Sequence, residues 1–276
     1  MRFLAIASWF VLLASCTPAR GPLAPPPDKA VRRVQPHAAV AQPEVPLRPP
    51  ESARTTRGDF SGIAFEGVAF DSRSQRLVAA DQAGGPGSQF PDAASAGRSR
   101  GGLAAVNGGF FTPAGEPLGL VVASGKRTGT WNTASSLGSG AWHEDSSGQS
   151  AITRRENLGR TRASTMRELV QAGPLLVANG HPVAGLDAIK PAVRTLMLWD
   201  GGSRWWIGRA SACTLAQLAA ALSASPPAAW PVRHALNLDG GRSSELWISD
   251  LLAGGPVSRR PPWNRPVRNF LILMPR

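Results

Sequence analysis

Ala235-Leu236-Asn237-Leu238-Asp239-Gly240-Gly241-Arg242-Ser243-Ser244-Glu245-Leu246-Trp247 is the stretch on which the reading of this chain turns. Ala235 to Leu238 is a short apolar-alternating run of the kind that makes a buried strand. An aspartate follows it at once, then two glycines, an arginine, two hydroxyls and a glutamate. Paired glycines open backbone conformations closed to other residues, so their N–H groups can gather around an anion. A carboxylate on one side of such a nest and a guanidinium on the other suit the cleavage of a charged substrate. The alternative is a tight turn in which Asp239 only caps backbone amides, since Asp and Gly dominate turns for local reasons.

A second stretch repeats the design. Ala104-Ala105-Val106-Asn107-Gly108-Gly109-Phe110-Phe111 is a small-apolar strand with a polar side chain at its end and Gly-Gly after it. Gln171-Ala172-Gly173-Pro174-Leu175-Leu176-Val177-Ala178-Asn179-Gly180 comes later, with Pro117-Leu118-Gly119-Leu120 before it and Arg194 leading a further apolar run. In this order the pieces resemble the phosphodiester glycosidase family, over roughly residues 59 to 275. The resemblance implies hydrolysis of the bond between a sugar's anomeric carbon and a phosphodiester oxygen, with a carbohydrate phosphodiester as the partner and no cofactor. It makes Asp239 the candidate for the reacting carboxylate, as nucleophile or as base for water, with Glu245 in reserve. Asn107 and Ser243 become candidate donors to the substrate, and Arg194 the candidate phosphate clamp. Gly108, Gly109, Gly240, Gly241, Arg242, Ser244 and Glu245 are the candidate lining of the site. Two positions depart from the family pattern: Arg242 stands where a third glycine is usual, and Thr195-Leu196-Met197-Leu198-Trp199 lacks the usual glycine.

The formal charge is +12, and nearly all of the basic residues are arginine; Lys29, Lys126 and Lys190 are the only lysines. Arginine forks match phosphate oxygens in pairs. A GC-rich genome produces the same bias, together with abundant Ala, Gly and Pro. No aromatic-basic motif or helix-turn-helix pattern points to nucleic acid. Met1 to Ser15 reads as an export segment, and Leu13-Ala14-Ser15-Cys16 resembles a bacterial lipobox. The expectation is therefore a signal peptide over 1–15, lipidation at Cys16 and a membrane anchor through that lipid. Thr17, in place of aspartate, leans the location to the periplasmic face of the outer membrane. The Pro/Ala-rich residues 16–57 read as a disordered tether, and 58–276 as the folded domain. Cys213 is left without a partner and reads as a small buried hydrophobe. No protein partner can be inferred.

The fold class expected for 58–276 is α+β: one sheet-dominated domain of mixed, twisted β-sheet with a few short helices. Ile63 to Phe70, Arg76 to Ala80, Leu118 to Ala123 and Val267 to Met274 read as strands. Asn179-Gly180 and Asp200-Gly201-Gly202 mark hairpins. Thr214-Leu215-Ala216-Gln217 fits a capping box, with Leu215, Leu218, Ala219 and Leu222 on one helix face. Thr165-Met166-Arg167-Glu168 fits a second box and predicts a shorter helix ending before Gly173-Pro174. Gly84 to Arg100 reads as a loop. Arg268, inside the last strand, calls for a partner and is a further candidate for substrate binding. No G-x-G-x-x-G, Walker or G-x-S-x-G pattern appears. His143-Glu144-Asp145 lacks ligand spacing, so no metal is expected. Trp131, Trp142 and Trp263 fall in loop-like sequence and are candidates for stacking on sugars, whereas Trp199, Trp205, Trp206 and Trp247 read as core. Two other functions fit the same residues: a non-catalytic lipoprotein that grips anionic polysaccharide, and a phosphodiesterase that releases sugar phosphate.

Overall fold

Alternating apolar residues and short turns build the chain into antiparallel ladders, because a two-residue turn can only reverse a strand. The computed structural model describes residues 51–224 and 226–276. The expected signal peptide, Cys16 and most of the expected tether lie outside the described residues. Among those described, seventeen strands form three sheets accompanied by four short α-helices. The α+β class follows. The sheets are antiparallel throughout, not mixed, because hairpins and loops join the strands where a parallel sheet would need helical crossovers.

The largest sheet has seven strands, in the order Arg54–Phe60, Ile63–Asp71, Arg204–Cys213, Ala192–Trp199, His234–Asn237, Leu175–Ala178 and His181–Pro182. The second runs Val257–Arg259, Leu246–Ile248, Ala104–Asn107, Asn269–Pro275 and Gln75–Asp81. The third runs Lys126–Thr128, Val121–Ala123, Glu168–Ala172, Gly140–Glu144 and Ser150–Arg154. One core lies among all three, built from Val68, Met197, Trp205 and Ile207 of the first, Val106 and Leu271 of the second, and Trp142 and Val170 of the third. The outer face of the seven-stranded sheet is covered by the helix Leu215–Ala224 through Leu218, Ala219 and Leu222. The second sheet is covered by the helix Ala93–Ser99, whose Gly97 leaves room for the Trp247 ring. Each large apolar side chain buried in this way contributes about 1.5–3 kcal/mol.

Local signals explain most of the elements. Asn179 and Gly180 take φ of 53° and 85°, as a two-residue hairpin requires. Thr214 and Gln217 exchange hydrogen bonds of 3.0 and 3.2 Å, so the capping box is real. The second box is not. Glu168–Ala172 is a buried strand, because the Glu168 carboxylate accepts from Ala79 N at 3.0 Å and Ser124 N at 3.1 Å and never reaches back to Thr165. The helix Ala93–Ser99 lies in the segment expected to be a loop, opened by Asp92, whose carboxylate accepts from Ser95 N at 2.7 Å. Trp142 is fully buried in the strand Gly140–Glu144 and stacks on no ligand. No helix among the described residues is long and apolar enough to cross a membrane.

The first strand begins at Arg54, ahead of the boundary expected at residue 58, and pairs with Ile63–Asp71 along its whole length. Thr56 Oγ1 accepts a 2.7 Å bond from the buried Trp206 Nε1, and Arg57 meets Glu66 at 2.6 Å. A chain shortened to begin at Gly58 leaves that indole N–H without an acceptor. The loss is expected to be about 1–3 kcal/mol, or roughly 5 °C in Tm relative to a chain beginning at Glu51. Equal melting temperatures would show that residues 51–57 contribute nothing to the fold.

Candidate active site

The two Gly-Gly motifs meet at the ends of two strands from different sheets. Ala104–Asn107 brings Asn107 to the end of its strand, fully buried. Its Nδ2 donates to the backbone O of Asp239 at 2.6 Å. Its Oδ1 accepts from Thr195 Oγ1 at 2.8 Å and from Glu245 N at 2.9 Å. Asp239 N returns a bond to Gly108 O at 3.0 Å, and Leu238 N donates to Thr195 O at 2.8 Å. Asn107 therefore ties its own strand to the Asp239 loop, to the strand Ala192–Trp199 and to the segment entering Leu246–Ile248. Asn269 supports this node from below: its O accepts from Gly108 N at 2.8 Å and its Oδ1 from Gly109 N at 2.7 Å. A Cβ on Gly108 would collide with that Oδ1, so glycine is required there.

Beyond Leu238 the chain turns through Gly241–Ser243 as a single 3₁₀ turn, with Gly241 at φ 60°. A Cβ on Gly240 would come within 3.0 Å of Val193 O, so the loop lies close on the neighbouring strand. The Asp239 carboxylate is half-buried. Burial pushes it up to about 6; hydrogen bonds from Ser243 Oγ and Gly240 N act the other way, and no cation contributes. The result, among the described residues, is a carboxyl with two neutral donors acting on it and no guanidinium to neutralise it. Such a group can take or give a proton near neutral pH.

The other expected site residues are distributed unevenly around this loop. Ser244 is buried, 3.1 Å from Thr195 Oγ1, and donates to Val193 O at 3.3 Å, so it belongs to the framework beneath the loop. Arg194 lies against Gly240, but its Nε donates to Cys213 O at 3.0 Å and its Nη2 to Lys190 O at 2.8 Å. Only part of its fork remains for a ligand. Arg242 is exposed and donates twice to Trp263 O, at 3.2 Å each. Glu245 points away from the loop: it is 2 % exposed, accepts from Ala93 N at 2.6 Å at the helix start, and lies 3.4 Å from Arg260. Arg268 lies in a bend just ahead of the strand Asn269–Pro275, not inside it, and still finds a partner, gripping Asp81 at 2.9 and 3.1 Å and donating to Gly115 O at 2.9 Å. The structure thus brings Asn107, Gly108, Asp239, Gly240, Gly241, Ser243 and Arg194 together, and sets Glu245 and Arg268 in structural contacts elsewhere. Thr195 and Asn269 belong to the node and were not among the expected residues; each is a polar residue beside an apolar strand run, which was the available signal.

Among the described residues no group of three or more His, Cys, Asp or Glu is placed to hold a metal ion. Burial lowers the pKa of His143 to about 4, and its Nε2 lies 2.9 Å from Thr153 Oγ1. It is a neutral structural group. Cys213 is buried, and burial pushes its thiol pKa up.

Comparison with known proteins adds an independent line. The model of the phosphodiester glycosidase family matches residues 100–274, more than half of the chain. No curated protein matches in sequence. The fold is similar to the catalytic domain of zebrafish N-acetylglucosamine-1-phosphodiester alpha-N-acetylglucosaminidase, in the form auto-inhibited by pro-peptide. That match has a TM-score of 0.57 at 18 % identity, covering 84 % of this chain and 85 % of the other. A hypothetical protein from Synechocystis is similar at TM-score 0.54 and 16 % identity, over 81 % of this chain and 61 % of that one. A protein of Burkholderia pseudomallei K96243 is similar at TM-score 0.52 and 15 % identity, over 78 % and 75 %.

The raised Asp239 carboxyl has a consequence for stability. Its folded pKa lies above the usual value of 3.8, so the folded chain binds the proton more tightly than the unfolded chain does. Stability from this group is full below the unfolded pKa and is lost as pH rises through the folded one. In Asp239→Asn that loss is absent. Between roughly pH 4 and 7 the unfolding free energy of the variant should gain on that of the parent by on the order of 2 kcal/mol. A difference that stays flat across this range would contradict a raised pKa.

Proposed function

The chain belongs to the phosphodiester glycosidase family, and from that premise we propose that it hydrolyses the glycosyl–phosphate bond of a sugar-1-phosphodiester in a cell-surface glycan or glycolipid. The observation that supports this most is the Asp239 carboxyl at the strand end, half-buried beside Ser243 and Gly240 and, among the described residues, with no cation beside it, so that burial raises its pKa. In the reaction, the anomeric carbon gains an oxygen and its bond to the phosphodiester oxygen breaks. The phosphomonoester leaves with the bonding pair. It is already a weak base, so the step makes little demand on a general acid. Asp239 acts in its ionised form, either removing the proton from the attacking water or attacking the anomeric carbon itself before water releases the sugar. Inversion of the product anomer marks the first route and retention the second. Ser243 orients the carboxylate, and Asn107 holds the loop by its backbone. Arg194 keeps Nη1 for the substrate.

The export segment and Leu13-Ala14-Ser15-Cys16 support a place for this activity on the bacterial envelope, with Cys16 as the lipid anchor. One observation favours the second reading, a binding protein without turnover: Arg194 gives Nε and Nη2 to backbone carbonyls.

Turnover of a sugar-1-phosphodiester separates the readings. Hydrolysis should yield free sugar and phosphomonoester; sugar phosphate and alcohol would instead indicate a phosphodiesterase. kcat/KM should rise from pH 5 to a plateau, with an inflection near the Asp239 pKa of about 6. Asp239→Asn should abolish that inflection and lower turnover by roughly 10³-fold or more while the domain stays folded. A folded Asp239→Asn protein with near-parental activity would overturn the proposal.

A further inference from the structure

The seven-stranded sheet extends past the shared core, and on that extension the side chains change from apolar to charged. Trp205 and Ile207 are buried in the core, and the next residue on the same face is Arg209. Arg209 pairs with Glu66 on one side and with Thr195 on the other; Glu66 in turn pairs with Arg57. One row across the sheet therefore reads Arg57, Glu66, Arg209, Thr195. Arg259 reaches this row from the edge of the second sheet and grips Glu66 at 2.7 and 3.1 Å, while Arg57 meets the same carboxylate at 2.6 Å. Arg57, Glu66, Arg209 and Arg259, with Ser211 and Val193, line a cavity of about 410 Å³.

The charges on the wall do not balance. Three guanidinium groups share the single Glu66 carboxylate, and both of its oxygens are taken by Arg57 and Arg259. Arg209 Nε is buried with no hydrogen-bond partner among the described residues. Burial pulls the Arg209 pKa down; Glu66 and, more weakly, Glu245 oppose this, while Arg259 adds to it. Glu245 is itself engaged by Arg260 and Ala93 N. Arg209 itself is half-buried, so the cost falls on its Nε; a buried N–H without an acceptor is unfavourable, and an anion in the cavity would supply one. The cavity also adjoins the Asp239 loop. Val193 lines it and packs on Gly240, and Thr195, opposite Arg209, donates to Asn107 in the node that holds Asp239.

We infer that the Arg57–Arg209–Arg259 cavity is an anion-binding site that holds a phosphate group of the ligand, with Arg209 as its central donor. Two or three arginine forks match the several oxygens of a phosphate. The volume leaves room for an attached sugar-sized group, since ligand pockets typically span about 300–1,000 Å³. Arg194 gives two donors to carbonyls, whereas Arg209 Nε has no hydrogen-bond partner among the described residues. The inference deepens the proposed hydrolysis of a sugar-1-phosphodiester and rests on it for the identity of the ligand.

Calorimetric titration of the full-length chain with inorganic phosphate, and with a glycosyl phosphate, tests it directly. One site is expected, with affinity that falls as NaCl is raised. Arg209→Gln should weaken both ligands at least tenfold at an unchanged melting temperature, and Arg209→Lys should recover part of the loss. Should Arg209→Gln fail to fold, the double variant Arg57→Gln/Arg259→Gln carries the same expectation, because both side chains are about half exposed at 52 % and 47 %. No binding by the parent chain, or unchanged binding in the folded variants, overturns the site. The two proposals fail separately. Arg209-dependent phosphate binding without any turnover would leave this site standing and remove the catalytic reading. Turnover with the same KM in Arg209→Gln would do the reverse.

Discussion

The side-chain amide of Asn107 is the joint on which the site depends. It is fully buried and makes three hydrogen bonds, to the backbone O of Asp239, the backbone N of Glu245 and the hydroxyl of Thr195. No hydroxyl, carboxylate or ammonium can make that set of bonds, because it needs an acceptor and a donor on one rigid plane. Through it the second sheet fixes the Asp239 loop, which the seven-stranded sheet delivers. Losing a buried partner of this kind leaves several groups unsatisfied at once. The loop is glycine-rich and would otherwise be free to move, so its precision comes from Asn107, Asn269 and Val193 and not from the loop itself.

The distribution of charge gives the site its chemistry. Several other buried or half-buried carboxylates have guanidinium partners, Asp71 with Arg73, Asp81 with Arg268, Glu66 with Arg57 and Arg259; buried Glu168 is held instead by Ala79 N and Ser124 N, and burial raises its pKa. Asp71 shows the effect on acidity, its pKa lowered to about 2; burial raises it, and the bonds from Arg73, Glu51 N and Ser203 more than reverse this. Asp239 is the opposite case. In a chain of +12 formal charge it has, among the described residues, donors but no cation, and Arg209 Nε nearby on the sheet has no acceptor. A carboxyl without a cation and a buried guanidinium N–H without an acceptor, on adjoining elements, are what a phosphate-bearing substrate would complete.

Much of this was legible in the sequence, and the limits have physical causes. Both Gly-Gly motifs are local: a strand, a polar side chain and a close turn are all determined within eight residues, and they lie where expected. The Asn179-Gly180 hairpin and the Thr214 capping box are local as well. The Thr165 box has the same residue types as the Thr214 box but gives a strand, because Glu168 finds its donors in Ala79 and Ser124, far away in the chain. Glu245 is a candidate by its place beside the Asp239 loop and Arg268 by its place in an apolar run; their actual partners, Ala93 and Asp81, come from elements distant in sequence. Arg209 gave no signal at all. Its surroundings are Arg57, Glu66 and Arg259, which only strand register and sheet packing bring together.

Asp239 is a carboxyl tuned by burial and, among the described residues, left without a cation. Site-resolved ¹³C NMR titration of its carboxyl carbon, assigned by comparison with Asp239→Asn, measures that property without reference to any substrate. A single inflection near pH 6 is expected, because burial pushes the carboxyl up to about 6. An inflection at or below the usual aspartate value of about 4 would contradict it, because it would mean that solvent or an arginine compensates the charge and that the loop is an ordinary capped turn.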